Sequence, residues 1–489
     1  MTIVHQPPRP TTLPSAAAGA AGNTALETAL PSEPKAAIDI EKAPQASPAD
    51  APRKSFTYEW YVVSICMVAY IFSFVDRQIL ALMIEPIKRD LGLSDIQFSL
   101  LHGLAFSLFY AFMGMPIAML ADKFSRPKII AIGVGFWSLA TALCGTSKNF
   151  LQMFLARMGV GVGEAALSPA TYSMLSDMFP KEKLGRAVAI YSIGSFIGGG
   201  VAFLIGGYVI DLLKNVGTVA VPVLGQMRAW QVTFFIVGLP GLAVALLIFL
   251  TVRDPQRKGL KLDAGGRARK ASLESTLKFL AQHPETFFCH YLGFSAYAMA
   301  LYCMLSWAPA FYMRKFGMTP SEAGYTLGII VLLANTSGVL FSGWLIDKLS
   351  KMGRADAPLR AGVIGAAGLL LPGILFSQVD ELWLSLTLLA PAMFFVSFPL
   401  STSTAAMQIL PPNQMRAQVS AVFLLVSNLI AVGFGTTLVA MLTDTVFKSP
   451  LMVGSSMSIV NGASTLATLI LLGLGCRYYR ESLTREGID

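Results

Sequence analysis

Four full charges interrupt otherwise apolar sequence. Asp76 and Arg77 are adjacent in Phe74-Val75-Asp76-Arg77-Gln78. Arg157 and Glu164 stand seven residues apart in Ala156-Arg157-Met158-Gly159-Val160-Gly161-Val162-Gly163-Glu164-Ala165. A charge at the centre of a bilayer costs at least ~2.5–3.5 kcal/mol on insertion scales, so such residues pair, face a cavity and mark a pathway. Two acids against two bases sum to zero, which makes mutual pairing sensible. Seven residues make two helical turns, so Arg157 and Glu164 share one face about 10.5 Å apart. Each can then pair with one member of Asp76-Arg77, whose side chains diverge by about 100°. One of that pair would face a cavity while the other braces a neighbouring helix. The Arg77 and Arg157 guanidinium forks suit carboxylate or phosphate. Asp76 and Glu164, partly desolvated, are candidates to take up a proton and so release an arginine to an incoming anion. The competing reading is a charge network that only locks helices together.

Elements that could hold these groups are set by composition. The chain has 489 residues, 54% hydrophobic and 13% charged, about half the charged fraction of a soluble domain. Its apolar residues fall in continuous runs of about twenty, the length that spans roughly 30 Å of hydrocarbon as a helix. The runs predict helices at 58–82, 96–121, 128–146, 150–175, 187–212 and 229–252, then at 284–312, 322–347, 359–378, 383–410, 417–443 and 452–476. The fold class is therefore all-α integral membrane, twelve transmembrane helices in two six-helix bundles. The expected domains are a disordered tail at 1–54, bundles at 55–252 and 284–479, a linker at 253–283 and a second tail at 480–489. Ser272–Leu280 in the linker is a candidate surface helix.

The net charge of +9 reads as a topology signal, not a nucleic-acid footprint. Nineteen Lys and Arg lie in the loops at 122–128, 177–186, 253–283, 347–360 and 411–416, against eight in the opposite loops. The basic side is then cytoplasmic, with both termini there, in the cell inner (plasma) membrane. Residues 1–54 lack the apolar core of a signal peptide. The five cysteines lie in or beside apolar runs without a CxxC, so neither disulfides nor a metal site is expected. No cofactor is expected.

The halves echo each other. Ala118-Met-Leu-Ala-Asp122-Lys123 closes the second helix and Gly343-Trp-Leu-Ile-Asp347-Lys348 the eighth; Pro180 to Arg186-Ala187 and Pro412 to Arg416-Ala417 precede the fifth and eleventh. Parallel six-helix repeats are a transporter plan with the substrate site between them near the midplane. Over residues 57–480 the chain resembles a major facilitator superfamily transporter. Its loop Asp122-Lys123-Phe124-Ser125-Arg126-Pro127-Lys128 keeps that family's acid and bases, while Ala118 and Ser125 replace two glycines. The resemblance implies that Asp122, Arg126 and Asp347 take part in gating, that the protein works as a monomer, and that it cycles by alternating access. The Asp76-Arg77 pair, together with Arg157 to Glu164 and Ser168-Pro169-Ala170, is similar to the Spinster-like branch. That branch implies lysophospholipid or sphingosine-phosphate-like substrates.

Away from the ends of its expected spans the second half shows no full charge. It offers His290, Tyr297, Tyr302, Trp307, Asn335, Phe394, Phe395, Phe398, Ser401, Thr402 and Asn428, of which fewer than half are expected to line a cavity. Tyr297, Tyr302, Phe398 and Asn428 join Arg77 and Arg157 as candidate substrate contacts. Gly194, Gly198, Ala202 and Gly206 recur every four residues, a spacing that lets helices approach closely. His102 is a candidate proton sensor, with helix packing the commoner role. An intramembrane enzyme is disfavoured by the lack of HExxH and GxSxG, and a channel by the lack of a filter loop. The sequence reading is a proton-linked secondary transporter for an amphipathic anion in the bilayer, with uptake of a sugar acid or aromatic acid as the alternative.

Overall fold

The computed structural model describes residues 57–213, 218–221, 225–257, 273–412 and 415–488. The expected tail at 1–54 and the middle of the linker lie outside these residues. Twelve helices among the described residues are long and apolar enough to cross a membrane. In chain order they are α1 Thr57–Leu82, α2 Asp95–Ala121, α3 Arg126–Cys144, α4 Phe150–Met178, α5 Lys183–Leu213 and α6 Ala229–Thr251, then α7 Pro284–Phe316, α8 Pro320–Lys351, α9 Ala357–Leu375, α10 Leu382–Ile409, α11 Gln418–Phe447 and α12 Pro450–Arg485. A short helix, Ile84–Leu91, follows α1, and the linker carries a helix at Leu273–Gln282. A two-stranded hairpin, β1 Thr218–Val221 with β2 Gly225–Arg228, joins α5 to α6.

Helices α1 to α6 pack as one bundle and α7 to α12 as another. Within the first, α1 runs along α5 and α3 lies against α4 and α6; within the second, α7 runs along α12 and α9 along α12 and α10. The bundles meet chiefly where α5 crosses α8 and α2 crosses α11. A two-fold axis that exchanges α2 with α8 and α5 with α11 carries one crossing onto the other, as two parallel repeats require.

Local sequence explains both crossings. The stripe Gly194, Gly198 and Gly206 lies against α1, where added Cβ atoms would come within 2.8 Å of the Met67 carbonyl oxygen, 2.7 Å of Phe74 Cβ and 2.5 Å of Ile79 Cδ1. A second glycine face, Gly200 and Gly207, meets Gly328 and Gly324 of α8. At the other crossing, Leu100–Leu104 of α2 and Asn428–Gly435 of α11 are both π-helical. A side chain at Gly103 would run into the Thr436 hydroxyl and the Val432 carbonyl. Such widened turns concentrate at functional positions in helices.

Two helices break at repeat-related places. Helix α4 consists of Phe150–Glu164 and Leu167–Met178, and α10 of Leu382–Val396 and Pro399–Ile409. Pro169 cannot supply an N–H to the Ala165 carbonyl, nor Pro399 to the Phe395 carbonyl; α4 is interrupted about one turn before its proline and α10 directly before its own. The first break falls immediately after Glu164.

Candidate functional site

The four intramembrane charges converge as expected from their spacing, with one difference in pairing. Glu164, at the break in α4, accepts from Arg77 of α1 through Nε at 2.6 Å and Nη2 at 2.5 Å. Ser73, one turn before Arg77, donates to the same oxygen at 2.5 Å. Arg157 does not grip the Asp76 carboxylate. Its Nη1 donates to the Asp76 backbone carbonyl at 3.1 Å, and its Nε lies 3.4 Å from the Leu101 carbonyl in the π-helical segment of α2. Arg157 thus ties α4 to α1 and α2, while the adjacent side chains of Asp76 and Arg77 diverge.

Asp76 is buried, and its Oδ1 has no hydrogen-bond partner among the described residues; neither do Arg157 Nη2 and Glu164 Oε1. Trp137 and Thr141 of α3 lie beside the Asp76 carboxylate. A buried polar atom without a partner is costly and calls for an explanation. Here the orphaned atoms belong to three of the four intramembrane charges.

Arg77 alone of the four reaches an accessible surface, with 12% of its side chain exposed. Aromatic rings box its guanidinium: Phe106 at 4.3 Å, Phe74 at 5.0 Å and Tyr110 at 5.1 Å from the ring centres. Tyr302 of α7 lies close enough to couple electrostatically with Arg77, bringing the second bundle to the site. Sequence reading named Tyr302 and omitted Phe106 and Tyr110. Both lie in the predicted second helix, where nothing local sets them apart from lipid-facing rings.

The remaining second-half candidates scatter. Tyr297 is wholly buried and donates to the Phe395 carbonyl at 2.7 Å; Phe398 is wholly buried against Phe341, Phe394 and Phe395. The structure places both inside the second bundle, away from the charge cluster. Asn428 is half-buried and donates to the Leu424 carbonyl of its own helix at 2.8 Å. His290 meets the Ser403 carbonyl at 3.1 Å, and Trp307 donates to the Thr436 carbonyl at 3.0 Å. His102 is buried in the π-helical turn of α2, its ring 6.3 Å from that of Phe98.

Of the three gating candidates, Arg126 is fully buried at the basic end. It donates to Asp177 of α4, to Asp254 at 2.8 Å and to the Pro255 carbonyl at 2.7 Å, while Arg257 reaches the Ala121 and Phe124 carbonyls. The start of the linker is thereby clamped to the first bundle. Asp347 is exposed and forms no ion pair among the described residues. The Asp122 side chain lies outside the described set.

A second charged cluster escaped sequence reading because its members lie at helix ends. Arg314 of α7 donates to both oxygens of Asp95 at 2.7 Å and to Glu85 at 2.8 Å; Lys88 joins Asp95 as well. Asp444 of α11 accepts from the Ile96 N–H at 2.9 Å. Asp95 is fully buried and 6% of the Arg314 side chain is exposed. Ion pairs between described residues that join the two bundles all lie here, at the end opposite the basic loops. This latch ties the two bundles together at that end.

The family model for the Major Facilitator Superfamily matches residues 66–436. The chain belongs to the Major Facilitator Superfamily. An MFS-type efflux pump of Mycolicibacterium smegmatis is 27% identical over 93% of this chain and 99% of its own. A probable L-galactonate transporter of Escherichia coli is 25% identical, over 72% and 76% respectively. Among solved structures, a bacterial homologue of the human lysosomal transporter Spinster, in an inward-facing and unoccupied conformation, superposes with a TM-score of 0.70 at 26% identity, covering 88% of this chain and 97% of that one. The protein is thus a membrane transporter of this superfamily, similar in fold to the Spinster homologue, and not an enzyme.

Proposed function

We propose that the chain carries an amphipathic anion, of the lysophospholipid or sphingoid-phosphate kind, across the bilayer by alternating access coupled to protons. One observation carries the reading: a single partly accessible arginine, Arg77, is held by Glu164 inside a box of Phe74, Phe106 and Tyr110. A proton arriving on Glu164 removes the carboxylate charge that holds Arg77. The guanidinium then pairs with the anionic end of the substrate, bidentately where that end is a carboxylate or phosphate. Aromatic faces around it suit an apolar body and exclude water that would screen the pair. Asp76, buried with an unpartnered oxygen, is the second proton site, and Arg157 holds the helices that present both acids. Tyr302 and Asn428 are the second-bundle contacts in this reading; Tyr297 and Phe398 pack the interior of the second bundle.

In this account the basic end faces the cytoplasm of a cell whose inner membrane holds the protein as a monomer. The bundles 55–252 and 284–479 rock about the linker at 253–283. Arg126, Asp122 and Asp347 stabilise one orientation at the basic end, and the latch on Arg314 stabilises the other orientation at the far end. In this reading a closed latch favours the inward-facing orientation.

The test is reconstitution in vesicles, with labelled lysophospholipids, sphingoid phosphates and small organic acids, each with and without a pH gradient. Accumulation of an amphipathic anion driven by the gradient supports the proposal. Movement of sugar acids or aromatic acids alone would replace the substrate class, and movement insensitive to any gradient would remove the proton.

A further inference from the structure

Helix α8 carries a stripe of accessible residues that ends in charge. Leu333, Ser337, Phe341, Trp344 and Lys348 follow at intervals of three and four, so they lie on one face. Lys348 Nζ sits 4.9 Å over the Trp344 ring, Trp344 packs on Phe341 at 5.2 Å, and Phe341 packs on Phe394 of α10 at 5.5 Å. Beyond Phe341 the stripe enters an open groove of about 400 Å³ between α8 and α10. Small residues make its floor, Ala334, Ser337 and Ala390, and Leu333, Pro391 and Phe394 make its sides. The Ser337 hydroxyl turns back to the Leu333 carbonyl at 2.7 Å, so even this floor is apolar. Two features create the groove: small side chains on both helices and Pro391 inside α10.

At the mouth the chemistry changes. Lys348, Lys351 and Arg354 are exposed, and among the described residues they form no ion pair; Asp347 is the exposed acid beside them, while nearby Asp356 is buried and paired with Arg360 and Arg480. An exposed tryptophan (52%) under a lysine is the pattern of a helix at the headgroup boundary. From Trp344 to Leu333 is eleven residues, about 16 Å along the helix axis, which matches half of a roughly 30 Å hydrocarbon layer. A chain anchored at the boundary therefore reaches the groove at the bilayer centre.

We propose that this face is a binding site for an anionic phospholipid of the leaflet at the basic end. Its phosphate meets Lys348 and Lys351, and one acyl chain passes Trp344 and Phe341 into the groove beside Pro391. Three exposed cations against one exposed acid give the preference for a negative headgroup. The site lies on the outer face of the second bundle, apart from the Arg77 cluster, and stands whatever the transported substrate.

The experiment uses the full-length protein in phosphatidylcholine vesicles doped with chain-brominated phosphatidylglycerol or, at the same fraction, chain-brominated phosphatidylcholine. The chain has six tryptophans; subtracting the Trp344→Phe variant isolates the Trp344 signal. Brominated phosphatidylglycerol should quench Trp344 at least three-fold more strongly per mole than brominated phosphatidylcholine. Lys348→Gln with Lys351→Gln should equalise the two lipids. Ser337→Leu, which fills the floor and spares the cations, should weaken quenching by the chain-brominated anionic lipid. Equal quenching by the two lipids in the unmodified protein would show an ordinary lipid-facing surface and overturn the proposal. A preference that survives loss of both lysines would overturn it too.

Discussion

Replacing Arg314 by glutamine removes the charge that ties the two bundles together at one end. In the structure this side chain makes three hydrogen bonds to two carboxylates, one of them fully buried. Breaking a buried pair by deleting one partner costs about 3–5 kcal/mol. Lys88 stays on Asp95, which recovers part of that, so about 2 kcal/mol is a reasonable share. The latch can form only while the two bundles touch at this end, so the loss falls on the closed state. A change of about 2 kcal/mol alters the ratio of closed to open states by roughly thirty-fold. Spin labels at Arg89→Cys and Leu451→Cys would report it, since both positions are well exposed at the latched end. Cys476→Ser clears the one cysteine that is not buried. The parent should show one short distance, and Arg314→Gln should add a longer population that Arg314→Lys largely suppresses. An unchanged distance distribution in Arg314→Gln would refute the reasoning, because the pair would then hold nothing that the helices do not already hold.

Other outcomes follow from particular contacts. Gly103→Val places methyl groups where the Thr436 hydroxyl and the Val432 carbonyl stand; labels across α2 and α11 should show separation, with transport reduced. Arg157→Ala removes a fully buried side chain that bridges three helices, so its thermal midpoint in detergent should fall by several degrees. An unchanged melting curve would contradict its bracing role. Tyr297→Phe loses one hydrogen bond to the Phe395 carbonyl, worth about 1 kcal/mol; slightly lower stability with unaltered substrate preference is expected.

Much of the fold was legible because hydrocarbon imposes one length on every span. The predicted ends lie within a few residues of the observed ones for most helices; α12 is the exception, running about nine residues beyond its expected end. The pairing of the four charges was half legible. Seven-residue spacing put Arg157 and Glu164 on one face, and Arg77 does meet Glu164. Spacing could not show that Arg157 would choose a backbone carbonyl over the Asp76 carboxylate, because that depends on how the π-helical turn of α2 presents Leu101. The aromatic box was hidden for a different reason: in a chain with 31 phenylalanines, nothing local distinguishes Phe106 from rings that face lipid. The latch was invisible because Glu85, Lys88, Asp95 and Arg314 sit at helix ends, where charges are ordinary. Only the docking of the two bundles gives them partners. The broken helices were within reach, since Pro169 and Pro399 are separated by the repeat offset that the loops already displayed.

The central claim is that Arg77 holds the anionic end of the substrate and Glu164 releases it through a proton. Gradient-driven uptake and gradient-free exchange of one labelled amphipathic anion, measured side by side in vesicles for Glu164→Gln and Arg77→Ala, test it most directly. Glutamine mimics the protonated acid, so Glu164→Gln should keep exchange and lose accumulation driven by the pH gradient, while Arg77→Ala should lose both. Accumulation by Glu164→Gln at the parental level, or normal anion transport by Arg77→Ala, would contradict the account.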